Sequence, residues 1–172
     1  IHPELYELLG VFIDVANEHK LVWWAGFGTL LGCIREGRII EHDDDVDICI
    51  TSASMDKLIL CKKKLKERGY ELKRDSDLWR IRRRGSKIHL DLFVMIPSST
   101  SVDNQTKWII ADPKIRRGFP NHYFFQDELE PFISRPFKSC RVQTPKESEI
   151  YLERQYGLDW RTPKITHYHH LD

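Results

Sequence analysis

Apolar positions recur at helical spacing over residues 3–20, where Leu5, Leu8, Leu9, Phe12, Ile13 and Ala16 form one stripe and Pro3 lies near the first turn. This predicts a packing helix. Residues 21–25 then read as a strand running into Gly26-Phe27-Gly28. Thr29 is the predicted N-cap of a short helix through Arg35 that ends at Gly37. From residue 43 the period becomes two. Val46, Ile48 and Ile50 point one way, toward a core, and Asp45, Asp47 and Cys49 point the other. Thr51 to Ser54 supply caps for a helix through about Arg68, closed by Gly69.

Two further alternating runs, 78–83 and 88–94, flank Arg84-Gly85-Ser86-Lys87. Gly-Ser as a two-residue type II′ loop makes them a hairpin. That register sets Arg83 opposite Ile88, Arg82 opposite His89, Ile81 opposite Leu90 and Arg80 opposite Asp91. Residues 97–104, rich in Ser and Thr, read as an exposed loop. Between 107 and 136 the pattern loses its period, and Phe119, Tyr123, Phe124, Phe125 and Phe132 read by default as core filler, with walls of a ligand pocket as the alternative. Thr144-Pro145-Lys146-Glu147 has the form of a capping box, opening a helix to Tyr156 that stops at Gly157. Together these elements predict an α+β fold, a mixed and mostly antiparallel sheet packed by helices.

Composition narrows the function classes. With 172 residues and 41% hydrophobic content, the chain can bury a core as one domain, 1–172. Its formal net charge of +1 gives no global field for nucleic acid or an anionic membrane. No apolar stretch is long enough to span a bilayer. Any preference for phosphate must therefore be local. Lys62-Lys63-Lys64-Leu65-Lys66 reads as the solvated face of a helix, whereas Arg80 to Lys87 lies beside Asp91. Cys33, Cys49, Cys61 and Cys140 lack metal-ligand spacing and read as small buried hydrophobes of a reducing compartment. Beginning at Ile1 rather than Met, the chain reads as a domain excised from a longer protein, which leaves a secretory-pathway lumen open as well. The terminal His167, His169 and His170 read as a solvated tail rather than a zinc site.

The candidate chemistry lies on the Asp strand. Asp45 and Asp47 project from one face roughly 7 Å apart, and like charges this close repel unless a cation sits before them. A solvated acidic loop is the alternative. The apolar alternation that follows argues against it. The hairpin register brings a third carboxylate, Asp91, to a face that also carries Arg80, Arg82 and His89. Hard oxygen ligands and guanidinium forks are what a metal-bound phosphate ester requires. Asp43 is in phase with the pair and joins the ligand set, while Asp44 faces away. The Gly28-Thr29 turn before a helix N-terminus is a ready anion site.

Gly28-Thr29-Leu30-Leu31-Gly32, Arg35, Asp43 to Asp47 and Asp91-Leu92-Phe93 resemble the LicD family, which includes fukutin and fukutin-related protein. Phe137 to Val142, Pro145, Tyr151-Leu152 and Tyr156-Gly157 are similar to its closing pattern. The resemblance implies a nucleotidyltransferase-like fold and transfer of phosphocholine or ribitol phosphate from a CDP-linked donor to a glycan hydroxyl, releasing CMP. It also implies that Asp45, Asp47 and Asp91 hold Mg2+ or Mn2+. Arg35, Arg80 and Arg82 are the expected phosphate clamps, with Gly28 and Thr29 in backbone contact. Two alternatives use the same residues: an NTP-dependent nucleotidyltransferase and a non-catalytic, metal-stabilised module.

Overall fold

The computed structural model of this protein describes residues 2–100 and 103–164. Helix α1 (His2–Glu18) buries Leu5, Leu8, Leu9 and Phe12, as its stripe requires. Each such side chain contributes about 1.5–3 kcal/mol of transfer free energy. The strand that follows is shorter than predicted, β1 at Trp23–Ala25. Helix α2 (Phe27–Glu36) begins two residues before Thr29. Gly26 is the N-cap, so Thr29 lies inside the first turn and caps nothing. Its hydroxyl instead accepts the backbone N–H of Asp47 at 2.8 Å.

Strand β2 (Asp45–Thr51) is followed by α3 (Ser52–Ile59), whose N-cap Thr51 accepts the Ser54 N–H. The predicted helix to Arg68 is interrupted at Leu60-Cys61, where the Cys61 N–H turns back to the Leu58 carbonyl at 2.8 Å, and resumes as α4 (Lys62–Glu67). Next come β3 (Tyr70–Asp75), β4 (Leu78–Arg83) and β5 (His89–Pro97). Strand β3 lies outside the strands the pattern predicts, yet it buries Tyr70 and Leu72 in alternation with Glu71 and Lys73.

The β4–β5 register is the predicted one over Arg82↔His89, Ile81↔Leu90 and Arg80↔Asp91. Its connection differs. The Ser86 N–H bonds to the Arg83 carbonyl and Gly85 has φ +81°, so Arg84 and Gly85, not Gly85 and Ser86, form the turn. The β4–β5 ladder therefore stops before Arg83 and Ile88.

The unperiodic region holds β6 (Lys107–Ile110), α5 (Pro113–Gly118), β7 (Tyr123–Phe125), α6 (Gln126–Leu129) and β8 (Ile133–Phe137), before β9 (Cys140–Thr144) and α7 (Ser148–Tyr156). These strands are three to five residues long, too short to show a period. Phe124 is core, but Phe119 is 41% exposed. The predicted capping box does not form. Thr144 ends β9 and spends its hydroxyl on the Ile133 carbonyl, and the helix starts at Ser148.

The main sheet runs β1-β2-β5-β4-β3, with β6 on β5 and β7 on β6; β8 and β9 pair separately. Only β2 and β5 are parallel in this sheet, so it is mixed and mostly antiparallel as expected. Val46, Leu90, Ile81 and Leu72 align across four strands. They share a face with Arg83 and Tyr70, which bond Glu4 and Glu7 of α1. That face is the core. The opposite face is covered only in part: Cys49 lies under His122 and Phe93 under Phe27, so the expected alternation of core and anion ends after Asp47.

Candidate active site

The uncovered part of that second face carries two rows of charge. One row, from β3 to β2, is Glu71, Arg82, His89 and Asp45; the next is Lys73, Arg80, Asp91 and Asp47. Parallel pairing of β2 with β5 sets Asp47 beside Asp91, and one ligand oxygen from each of Asp45, Asp47 and Asp91 lies within 4.8 Å of the others. Three carboxylates this close are unfavourable without a cation. Burial first, then Asp91, Asp44 and Asp43, pushes the Asp45 carboxyl up to about 6. Burial and then Asp45 push Asp47 well above the usual carboxylate range. Among the described residues no donor bonds either carboxylate. A set of hard, under-compensated oxygens suits a divalent cation such as Mg2+ or Mn2+, so the residues present fit the predicted metal.

Asp91 is treated differently. Arg80 Nε donates to its Oδ1 at 3.0 Å and His89 Nδ1 lies 2.7 Å from the same oxygen, while Arg80 also donates to Asp75 at 2.7 Å. The Asp91 contact raises the His89 pKa against the effect of burial. Arg80 is thus brought to the site as the clamp on Asp91. Arg82 is on the same face beside Glu71, 3.8 Å away. Arg35 goes elsewhere: its guanidinium bonds the Trp160 carbonyl and Glu36. Asp43 precedes the strand, so the phase argument does not apply to it, and it stands outside the trio of ligand oxygens. Its charge is still felt by Asp45 and Asp47.

Helix α2 reaches the site at its first turn. Its first intrahelical bond is Leu30 N–H to the Gly26 carbonyl, so the N–H groups of Gly28 and Thr29 have no acceptor one turn back. A Cβ on Gly28 would sit 2.7 Å from Asp43 Oδ2, which explains the glycine. Thr29 ties the same turn to Asp47, and the Gly26 N–H to its carbonyl. Beneath lies a buried set that sequence reasoning missed, Cys49, His122 and Tyr151. They lie 29 and 73 positions apart, and no local pattern links them. All four cysteines are free, and the His-rich terminus lies outside the described residues. Among the described residues no helix is long and apolar enough to cross a membrane.

Comparison with known proteins follows the same lines. The chain is 28% identical over 152 residues to an uncharacterised protein of Rickettsia prowazekii, covering 88% of this chain and 53% of that one. It is 27% identical over 161 residues to the ribitol 5-phosphate transferase FKRP of Mus musculus, covering 89% of this chain and 31% of that one. It therefore spans about half or less of these relatives. Among solved structures, the solution structure of the antibiotic-resistance factor ANT(2'')-Ia superposes with a TM-score of 0.55 at 16% identity, over 84% of this chain and 66% of that one. At that identity the likeness is one of fold, and it bears out the nucleotidyltransferase-like expectation. The LicD/FKTN/FKRP nucleotidyltransferase-domain model matches residues 20–147, from before β1 to beyond β9 and through both carboxylate strands, and the chain belongs to that family.

Proposed function

We propose that this protein is a metal-dependent phosphotransferase that moves a phospho-alcohol, of phosphocholine or ribitol phosphate type, from a CDP-linked donor to a glycan hydroxyl and releases CMP. The observation that carries the reading is the convergence of Asp45, Asp47 and Asp91 within 4.8 Å beside the open first turn of α2. Membership of the LicD/FKTN/FKRP family supports it, as does the activity named for mouse FKRP.

Asp45, Asp47 and Asp91 would hold the cation. A bound Mg2+ or Mn2+ neutralises donor phosphate oxygens and lowers the pKa of an attacking hydroxyl. The remaining work falls to the chain. Arg80 orients Asp91 by its hydrogen bond, with His89 against the same oxygen, and Arg80 offers a guanidinium beside the site for a donor phosphate. The N–H groups of Gly28 and Thr29, which have no helical acceptor one turn back, would donate to phosphate oxygens. Arg82 supplies a second cation on the same face. Arg35, held by Trp160, supports α2 rather than clamping phosphate. Transfer of this kind needs little covalent help from protein, so positioning and electrostatics dominate.

Incubation with Mg2+, an acceptor glycan preparation and either a panel of CDP-alcohols or the four NTPs tests the proposal. CMP from at least one CDP-alcohol, lost in Asp47→Asn, is the expected result. Pyrophosphate release with a nucleotide-labelled acceptor would replace this reading with nucleotidyl transfer. Failure of every donor to bind would replace it with a metal-stabilised binding module.

A further inference from the structure

Phe27, the first residue of α2, has φ +45°, a left-handed conformation uncommon for an aromatic residue. Such a backbone persists only where its surroundings hold it. Here the hold comes from below. The Phe27 N–H donates to Tyr151 Oη at 3.3 Å, Tyr151 Oη lies 2.6 Å from His122 Nδ1, and His122 Nε2 lies 3.3 Å from Cys49 Sγ. The Phe27 ring stacks on His122 at 4.0 Å and 5°. Cys49, His122 and Tyr151 are all buried. A Cβ on Gly26 would lie 2.7 Å from Cys49 Sγ, so the turn wraps closely around this set.

Counting protons fixes the direction of the chain. Tyr151 Oη accepts from Phe27, and its own proton then needs an acceptor, which His122 Nδ1 supplies. His122 must therefore carry its proton on Nε2 and donate it to Cys49. The reverse arrangement would leave the Tyr151 O–H unpaired in the core, a heavier penalty than an unpaired thiol. Burial first, and then Arg154, push the His122 pKa down to about 3, so the neutral ring persists across the working pH range.

The segment held in this way is the one that organises the carboxylates. Two residues after Phe27, Thr29 takes the Asp47 N–H; between them, Gly28 lies against Asp43. Resting on the function proposed above, we propose that Tyr151, acting with His122, is a positioning residue that fixes the start of α2 and through it the geometry of the Asp45, Asp47 and Asp91 cation site.

Tyr151→Phe tests this, because it keeps the ring stacked on Phe124 and removes only the hydroxyl. The readouts are Mn2+ affinity by calorimetry, hydrogen exchange at the Phe27 amide, and turnover. We expect faster exchange at Phe27, Mn2+ affinity weaker by about tenfold, one hydrogen bond's worth, and a lower kcat with donor KM within about threefold. Val142→Ala, a buried position on β9, should lower the Tm and leave Mn2+ affinity unchanged. Wild-type affinity in Tyr151→Phe, or an equal loss in Val142→Ala, would overturn the inference. Should Tyr151→Phe not fold, Cys49→Ala is expected to weaken Mn2+ binding and Cys49→Ser to preserve it; wild-type affinity in both would overturn it equally. Asp47→Asn separates the two proposals. If it binds Mn2+ like the wild type, the cation site itself is misassigned; if it loses Mn2+ while Tyr151→Phe does not, only the positioning role fails.

Discussion

Replacing Asp45 with Asn should make the metal-free protein more stable at neutral pH while removing its response to magnesium. Asp45 titrates near 3.8 when unfolded and at about 6 in the folded protein, chiefly through burial and then through Asp91. Between those values the folded state binds more protons than the unfolded one, so stability falls as pH rises from about 4 to about 6 and is flat above. Holding the ionised group at pH 7 then costs about 3 kcal/mol, at ~1.4 kcal/mol per tenfold change in equilibrium. Water reaching this half-buried carboxylate trims the cost to roughly 2 kcal/mol. Asn has the same shape and no charge to hold. At roughly 2–4 °C per kcal/mol for a domain of this size, the variant should melt about 4–8 °C higher in EDTA at pH 7.5. At pH 4, where Asp45 is mostly protonated when folded, most of that gain should vanish. Magnesium at 100 times its Kd should stabilise the wild type by about 2.7 kcal/mol and the variant far less. Circular-dichroism melts at the two pH values, with EDTA or Mg2+, read all of these. Equal melting of the two proteins in EDTA at pH 7.5, or equal stabilisation by Mg2+, would refute the reasoning.

The two faces of β4 give the next expectation. Arg80→Ala should weaken donor binding by about tenfold, because it removes the clamp on Asp91 and a guanidinium from the cation site, whereas Arg83→Ala, whose partners Glu4 and Glu7 belong to α1, should leave donor affinity unchanged. Steady-state KM values for both variants decide it. Gly28→Ala should lower turnover, since its Cβ would press on the Asp43 carboxylate beside the site and not on backbone. Gly32→Ala should destabilise by about 2 kcal/mol or more, because its Cβ would fall 2.4 Å from the Arg38 backbone carbonyl, and thermal melts read the loss. Arg35→Ala should act on stability before donor affinity, given its bond to the Trp160 carbonyl, and parallel melts and KM measurements separate the two.

The sequence alone determined what short-range chemistry can determine. The period-two pattern around Val46, Ile48 and Ile50 placed Asp45 and Asp47 on one face, and the β4–β5 alternation aligned Arg80 with Asp91, because side-chain alternation is a local property of an extended chain. The stripe on α1 was legible for the same reason. Other elements were settled by competition between partners. Thr29 has a cap's chemistry, but Asp47 claims its hydroxyl; Thr144 has one too, but Ile133 does. Strands of three to five residues in β6 to β8 carry too few positions to show a period and exist because β5, β6 and β9 offer them edges. Tertiary structure alone decided that β2 and β5 run parallel with Asp47 level with Asp91, since pairing across some forty residues depends on which edges the helices leave open. It likewise brought Cys49, His122 and Tyr151 together under the turn at Phe27, where each buried polar group is matched by a partner distant in the chain.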